Sequence, residues 1–296
     1  MRKGFLLSVL FLVIAFSLHA QDSIKHWKTN GLAALNFNQL SLTNWAAGGA
    51  SSVSGTALFN FTANYTKDKN AWENTLNLTY GQLKRNGEKP VKSDDKIEYA
   101  SKFGRKATSA FFYTLLFGFR SQFAPGYKSP QDKEIISNFL APAYINLAVG
   151  MDYKPAEGFS FYLSPVSGRI TIVNNDSLSA KGAFGVEPGN KTRYEFGGYF
   201  KAAINRNIME NVNLQTSVDL FSNYIKNPEN IDVNWQILLG MKINKYLSAN
   251  ISSQLIYDDD IKIGKDENND GIITPSEKKP RIQFKEAFAI GLAYKF

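Results

Sequence analysis

The segment from Asp266 to Glu277 has the residue types and the spacing of a calcium-binding loop. A calcium ion takes about six to eight oxygen ligands, and such a loop places carboxylate, amide, hydroxyl and carbonyl oxygens at fixed positions. The positions that fit are Asp266, Asn268, Asp270, Ile272 through its main-chain carbonyl, Thr274 and Glu277. Pro275 and Pro280 argue against the helix that usually follows such a loop. Two interpretations stay open, a Ca²⁺ site that orders the loop and a solvated acidic loop without metal.

Residues for nucleophilic or acid-base catalysis are scarce in this chain. The 296 residues include no cysteine and two histidines, His19 and His26. A cysteine nucleophile, a thiolate metal site and a disulfide scaffold are therefore excluded. His19 falls in a segment that we expect to be removed, and His26 lies in the N-terminal flank. We therefore predict no catalytic residues and expect a protein that is not an enzyme.

The first twenty residues predict a secretory signal peptide. Arg2 and Lys3 form a positive start, an apolar stretch follows, and Ala20 offers a cleavage point. The apolar stretch is too short for a membrane anchor. We expect a signal peptide at 1–20, a periplasmic N-terminal segment at 21–30 and a single domain at 31–296.

Apolar and polar residues alternate along most of the remaining chain. Trp235, Ile237 and Leu239, for example, lie on the face opposite Asn234, Gln236 and Gly240, which is the pattern of a strand with one apolar face. About twelve such segments recur, beginning near Gly31, Ser52, Ala71, Lys96, Ala110, Pro142, Phe159, Thr192, Val212, Asp232, Leu247 and Arg281. Short connections alternate with longer ones, which include residues 84–95, 122–137, 164–191 and 258–280. The pattern fits a soluble sandwich or a membrane barrel.

Three features favour the membrane barrel. The apolar face carries large residues with aromatics near strand ends, the other face is polar, and the connections alternate in length. The predicted fold is all-β, an antiparallel transmembrane β-barrel of about 12 strands. An even number of strands puts both ends in the periplasm, so we expect the bacterial outer membrane and its lipid as the environment. The net charge of +8, which falls by two when Arg2 and Lys3 are removed, suits solubility or anionic lipid headgroups, and no basic cluster interleaved with aromatics suggests nucleic acid.

Charged residues interrupt the face that would line the barrel. They are Glu73, Glu98, Arg120, Arg193, Glu195, Lys201, Asp219 and Lys285. Such charges could select a solute or pair with one another across the interior. Structural pairing is the favoured interpretation, because unpaired charges in a narrow lumen are costly.

The last strand alternates apolar residues up to a terminal Phe296, which resembles the signal read by the outer-membrane assembly machinery, a predicted partner. This ending, including QFKE at 283–286, resembles a known family together with SLTNWAAGG at 41–49, WENTL at 72–76 and YG at 80–81. The family is the domain-of-unknown-function family 3078 of Bacteroidetes-type bacteria, and the resemblance extends over essentially the whole chain after the signal peptide. It implies an outer-membrane barrel and lends no catalytic residues.

Three functions remain open, of which an outer-membrane hydrolase is the least favoured, because it would need an unrecognised site without histidine. The first is a passive or weakly selective channel for small solutes. The second is a structural or assembly-partner barrel without transport, plugged by loops or by residues 21–30, and inward folding of residues 122–137 or 164–191 would favour it. The sequence names no solute and no protein partner.

Overall fold

The computed structural model describes residues 26–41, 51–127, 129–268, 270 and 273–296. Within these residues the chain forms sixteen strands. Twelve of them are long: β1 (Trp27–Leu40), β2 (Ser52–Lys67), β3 (Asn70–Arg85), β4 (Val91–Lys106), β5 (Phe111–Ser121), β8 (Ala143–Tyr153), β9 (Phe159–Ile172), β10 (Thr192–Met209), β11 (Val212–Asn223), β12 (Ile231–Lys242), β13 (Leu247–Tyr257) and β16 (Gln283–Lys295). The remaining four are short and lie in connections: β6 (Gly126–Tyr127), β7 (Ile135–Ser137), β14 (Lys262–Gly264) and β15 (Lys278–Pro280).

The twelve long strands form one closed barrel in which each strand pairs antiparallel with its neighbours. Strands follow one another around the barrel in chain order, and β16 pairs with β1 to close the ring. The predicted fold class and strand number are therefore confirmed. The described residues include no helix that is long and apolar enough to cross a membrane.

The outer surface of the barrel is apolar and its inner surface is polar. In β5, Phe111, Tyr113 and Leu115 are 40%, 63% and 48% exposed, whereas Thr114 and Leu116, which alternate with them, are buried. Alternation along the strand produces this division, because successive side chains point to opposite faces. A closed barrel with exposed aromatic and aliphatic residues is the form in which a sheet can meet hydrocarbon, since closure leaves no unpaired edge. The chain is thus a transmembrane β-barrel of the outer-membrane type.

The two ends of the barrel differ in the length of their connections. At one end, called here the short-turn end, adjacent strands are joined by residues 68–69, 107–110, 154–158, 210–211 and 243–246. At the other, called the long-loop end, the longest connections are residues 122–142, 173–191 and 258–282. Aromatic rings gather at the short-turn end, where the Trp27 ring lies 5.2 Å from Tyr65 and 5.7 Å from Trp72 between centroids. This is the position of an interface girdle.

Most barrel strands begin where the alternation predicts, and β1 and β4 are the main differences. β1 begins at Trp27 rather than near Gly31, because residues 27–30 pair with β2 although the polar run Lys28–Asn30 hides the alternation. β4 begins at Val91 rather than near Lys96 for the same reason, since its first residues are mostly polar. The long connection expected at 84–95 is therefore wrong, and only residues 86–90 join β3 to β4. The expected signal peptide lies outside the described residues.

The long connections at 122–142 and 173–191 carry structure of their own. The prediction that residues 164–191 form one loop is wrong, because β9 continues through Ile172 and pairs with β8 and β10. The second connection contains helix α1 (Asp176–Ala180), capped by the Asn175 side chain. Both connections share a small apolar core, whose buried members are Ala141, Val173, Leu178 and Val186. These two connections are called the mouth loops below.

Candidate functional site

The lumen of the barrel is the candidate site, and strand alternation directs its charged residues inward. In β10, Tyr194 and Phe196 are exposed on the outer surface, while Arg193 and Glu195 alternate with them. Lys201 follows on the same inner face and pairs with Asp219 of β11 across the ladder. The eight charges predicted for the lumen all occupy this inner side of their strands. Whether they select a solute stays a prediction.

An ion-pair network lies near the short-turn end. The Lys102 ammonium contacts Asp152 at 2.7 Å and Glu73 at 3.4 Å. Lys154 contacts the same two carboxylates, with Asp152 at 3.5 Å. The Ser160 hydroxyl donates to Asp152 at 2.7 Å. Glu73 on β3 is thereby tied to strands β8 and β9 on the other side of β4 and β5, so the contacts span part of the lumen.

A second group joins β4 to the strands facing it. Glu98 lies 3.3 Å from Lys96 and accepts a hydrogen bond of 3.3 Å from the Asn77 amide. The Lys96 ammonium also donates to the Gln236 side-chain oxygen at 3.4 Å. Gln236 belongs to β12, which stands six strands from β4 in either direction around the ring. Two side chains from opposite walls therefore meet, and the lumen is narrow at this level.

A third group lies toward the long-loop end. Arg193 contacts Glu195 at 2.9 Å and Asp260 at 2.8 Å, which links the barrel wall to the connection after β13. Arg169 pairs with Asp232 and stacks over the Phe221 ring, with 3.9 Å from the guanidinium carbon to the ring centroid. These contacts hold β9 and β12 together across the lumen although two strands separate them.

The remaining predicted charges also have partners. The Lys201 ammonium lies 2.9 Å from Asp219, which also accepts a hydrogen bond from the Tyr199 hydroxyl. Arg120 stacks over the Tyr144 ring at 5.0 Å to the centroid. Lys285 on β16 pairs with Asp94 on β4 at 2.6 Å.

The lumen charges differ in their exposure to solvent. The side chains of Asp152 and Glu195 are 1% and 2% exposed, so these two carboxylates are enclosed. The side chains of Glu73 and Lys285 are 37% and 49% exposed. Solvent thus reaches some of the lumen charges and leaves others buried.

The mouth loops approach the lumen at the long-loop end. Asp95 accepts hydrogen bonds of 2.7 Å and 2.9 Å from the backbone N–H groups of Phe123 and Ala124, which fastens one loop to β4. In the other loop, Gly185 has a φ of +78°, and a Cβ atom there would lie 2.2 Å from the Arg193 guanidinium. Glycine is required at this position because the loop passes directly against a lumen charge in a backbone conformation that other residues rarely adopt.

The predicted calcium loop forms an internally hydrogen-bonded turn. Both carboxylate oxygens of Glu277 accept hydrogen bonds, from Thr274 N–H at 2.8 Å and from Glu267 N–H at 2.9 Å. The hydrogen bond from the Thr274 backbone, with the others, lowers the pKa of Glu277 to about 2. The Asp266 carboxylate accepts from the backbone N–H of Asp270 at 3.2 Å.

The oxygens of Asp266, Asn268, Asp270, Thr274 and Glu277 have the chemistry that Ca²⁺ prefers. Ile272, the predicted carbonyl ligand, lies outside the described residues. Among the residues that are described, no group of three or more His, Cys, Asp or Glu side chains is gathered as metal ligands would be. Calcium binding therefore stays a prediction.

Several lumen residues were absent from the sequence-based prediction: Lys96, Lys102, Asp152, Lys154, Arg169, Asp232 and Asp94. Alternation could have found Lys96 and Lys102, since both are in phase with Glu98 on β4. Asp232 and Arg169 meet across the barrel, and no local pattern predicts that contact.

Part of the chain matches a known protein family. Residues 37–127 match the model of a family described as Protein of unknown function (DUF3078). The predicted resemblance is confirmed over this segment, which is less than half of the chain and includes the motifs at 41–49 and 72–81. The motif at 283–286 lies outside the match. No curated protein sequence matches the chain.

Solved structures of similar fold are outer-membrane barrels. An outer membrane channel from Pseudomonas putida F1 is 11% identical, with a TM-score of 0.39 over 93% of this chain and 99% of that one. The translocator domain of the autotransporter NalP from Neisseria meningitidis is 9% identical, with a TM-score of 0.37 over 99% of this chain and 96% of that one. The NanC porin is 7% identical, with a TM-score of 0.38 over 90% of this chain and 100% of that one. At these values the similarities do not extend to function.

Proposed function

We propose that this protein is a bacterial outer-membrane barrel that acts as a narrow, weakly selective channel for small polar solutes. The observation that carries the proposal is a lumen that is narrow but accessible to solvent. Lys96 and Gln236 meet from opposite walls, while the side chains of Glu73, Asp94 and Lys285 keep contact with solvent. Charges of both signs are interspersed along this path, so selectivity by charge should be weak.

The orientation follows from the same architecture. Short turns face the periplasm and long loops face outward in barrels of this kind, so the mouth loops and the 258–282 connection would lie outside the cell. Export through the signal peptide at 1–20 and assembly through the strand ending at Phe296 are part of the proposal. No catalytic role is included.

Single-channel recording in a planar bilayer tests the channel. We expect small discrete conductance steps from the folded barrel, and larger steps from Lys96→Ala, because this change removes the contact with Gln236 that narrows the lumen. Lys245→Gln, in the short turn at 243–246, is the control and should conduct like the unchanged protein.

The second candidate is a plugged barrel with a structural or assembly role. The observation that favours it is the shared core of the mouth loops, together with the approach of Gly185 to Arg193. The folding of each barrel is first verified by heat-modifiable gel migration. If neither the unchanged protein nor Lys96→Ala then shows conductance steps, the result supports this candidate and contradicts the channel.

A further inference from the structure

The ladder that closes the barrel covers only part of its two strands. Pairing between β1 and β16 runs from Leu32 with Lys295 to Asn36 with Gly291. One step before, the backbones of Gly31 and Phe296 exchange two hydrogen bonds, of 2.8 Å and 3.0 Å. Beyond Asn36, within the described residues, Phe37–Leu40 and Ala287–Ile290 remain in strand conformation without pairing to each other. The other edges of both strands stay paired, with β2 and β13 respectively.

Side-chain exposure independently indicates a gap at this place. In most of the wall, exposed outer residues alternate with more buried inner ones. From Phe37 to Ser41 every residue is exposed, and so is every residue from Phe284 to Phe288. Exposure on both faces is expected where a neighbouring strand is missing. The gap lies toward the long-loop end, because β1 approaches that end as it leaves Asn36 and β16 starts there.

We infer that the barrel wall has a lateral opening between β1 and β16, through which a single-chain amphipathic molecule can enter the lumen from the bilayer. Backbone N–H and C=O groups in hydrocarbon must find hydrogen-bond partners, and the unpaired edges of the two strands have none from each other. A ligand that fits must therefore bring hydrogen-bonding groups to the edges and apolar surface to the lipid side.

The residues beside the opening match such a ligand. On the lipid side, Phe37, Phe284 and Phe288 are 64%, 64% and 62% exposed and offer contact for an alkyl chain. On the lumen side, Lys285 lies next to the gap and holds Asp94 of β4 at 2.6 Å. A polar head group that enters the gap thus meets charged residues, while its chain stays against aromatic rings.

The inference does not depend on ion conduction by the lumen, because a barrel that conducts nothing can still open to the bilayer. It extends the proposed channel by naming a class of molecule and a route. The experiment can therefore be read whether or not single-channel steps are seen.

Because the chain has no cysteine, labelling of single introduced cysteines tests the opening directly. Ala287→Cys lies beside the gap, and Ala293→Cys lies on the same strand in the paired part of the seam, opposite Ala34. N-dodecylmaleimide, itself a single-chain amphipath, is dissolved in the bilayer of liposomes that contain the full assembled barrel. We expect it to modify Ala287→Cys and to spare Ala293→Cys, while a water-soluble maleimide modifies both. Ile290→Cys, on the lipid-facing side, verifies that the reagent is present in the bilayer.

A pair of cysteines across the seam gives a second reading. Extending the register from Asn36 and Gly291 places Leu40 opposite Ala287, and Ala34 opposite Ala293 is the matched pair in the closed part. Under the same oxidant, Ala34→Cys with Ala293→Cys should form a disulfide, and Leu40→Cys with Ala287→Cys should stay reduced.

Three outcomes would overturn the inference. The first is equal labelling of Ala287→Cys and Ala293→Cys by N-dodecylmaleimide. The second is equally fast disulfide formation by the two cysteine pairs, which would mean that the seam is closed along its length. The third is a disulfide between two copies of Ala287→Cys with no labelling, which would mean that the free edge pairs with a second chain.

Discussion

The ion pairs of Asp152 in the lumen have a structural role. Its carboxylate is 1% exposed and contacts Lys102 at 2.7 Å and Lys154 at 3.5 Å. Two ammonium groups face one enclosed carboxylate, with Glu73 as their only other acidic contact in the described network. Loss of the Asp152 charge would leave positive charge without compensation in a poorly solvated place.

Asp152→Asn should therefore destabilise the barrel by about 3 kcal/mol, the cost typical of removing one partner from a buried ion pair. The midpoint of urea unfolding, followed by heat-modifiable gel migration, measures the change. Asp176→Asn is the matched control: Asp176 pairs with Lys191 at 2.7 Å but its side chain is 91% exposed, so little change is expected. Equal midpoints for the unchanged protein and Asp152→Asn would show that this network contributes nothing to stability.

At the scale of the element, the 258–282 connection depends on one carboxylate. Glu277 accepts hydrogen bonds from Thr274 and Glu267, and those bonds lower its pKa to about 2 from an ordinary 4.5. Since the folded pKa is the lower one, the stabilisation by Glu277 is complete above pH 4.5 and is lost as the pH falls from there toward about 2. Hydrogen bonds from Arg281 and Lys279 also lower the pKa of Glu267, which adds to the same trend.

Amide hydrogen exchange in this connection, corrected for its intrinsic pH dependence, should accelerate between pH 4.5 and 2. Glu277→Ala should exchange several-fold faster already at neutral pH and should show a smaller pH-dependent step, carried by Glu267. An exchange rate in Glu277→Ala that equals that of the unchanged protein at neutral pH would refute this role of the carboxylate.

The same connection is where calcium binding is to be tested. We propose that Ca²⁺ orders the loop through Asp266, Asn268, Asp270, Ile272, Thr274 and Glu277. Millimolar calcium should then slow tryptic cleavage at Lys265 and Lys278, and a chelator should restore it. Asp266→Ala is the control that should abolish the protection. Equal cleavage with calcium and with chelator would leave the acidic-loop interpretation.

At the scale of the whole molecule, the alternation of apolar and polar residues predicts the strands but not which side chains contact each other in the lumen. Strand β2 begins where predicted because apolar or small residues alternate with polar ones along most of it, whereas the first residues of β4 are mostly polar and are held by pairing with β3. The pairing of Lys201 with Asp219 joins adjacent strands and could be predicted from register. The contact of Lys96 with Gln236 depends on the width of the closed ring, which is a property of all twelve strands together.

The order of strands around the ring has a consequence for the order in which the barrel assembles. Each barrel ladder except one joins barrel strands that are consecutive in the chain. The ladder between β1 and β16 joins residues from the two ends of the barrel sequence, and its loop-closure entropy is correspondingly the largest. That ladder can form only after the last strand has been delivered, and contacts so distant in sequence are slow to form. The opening inferred between β1 and β16 therefore lies in the ladder that forms last.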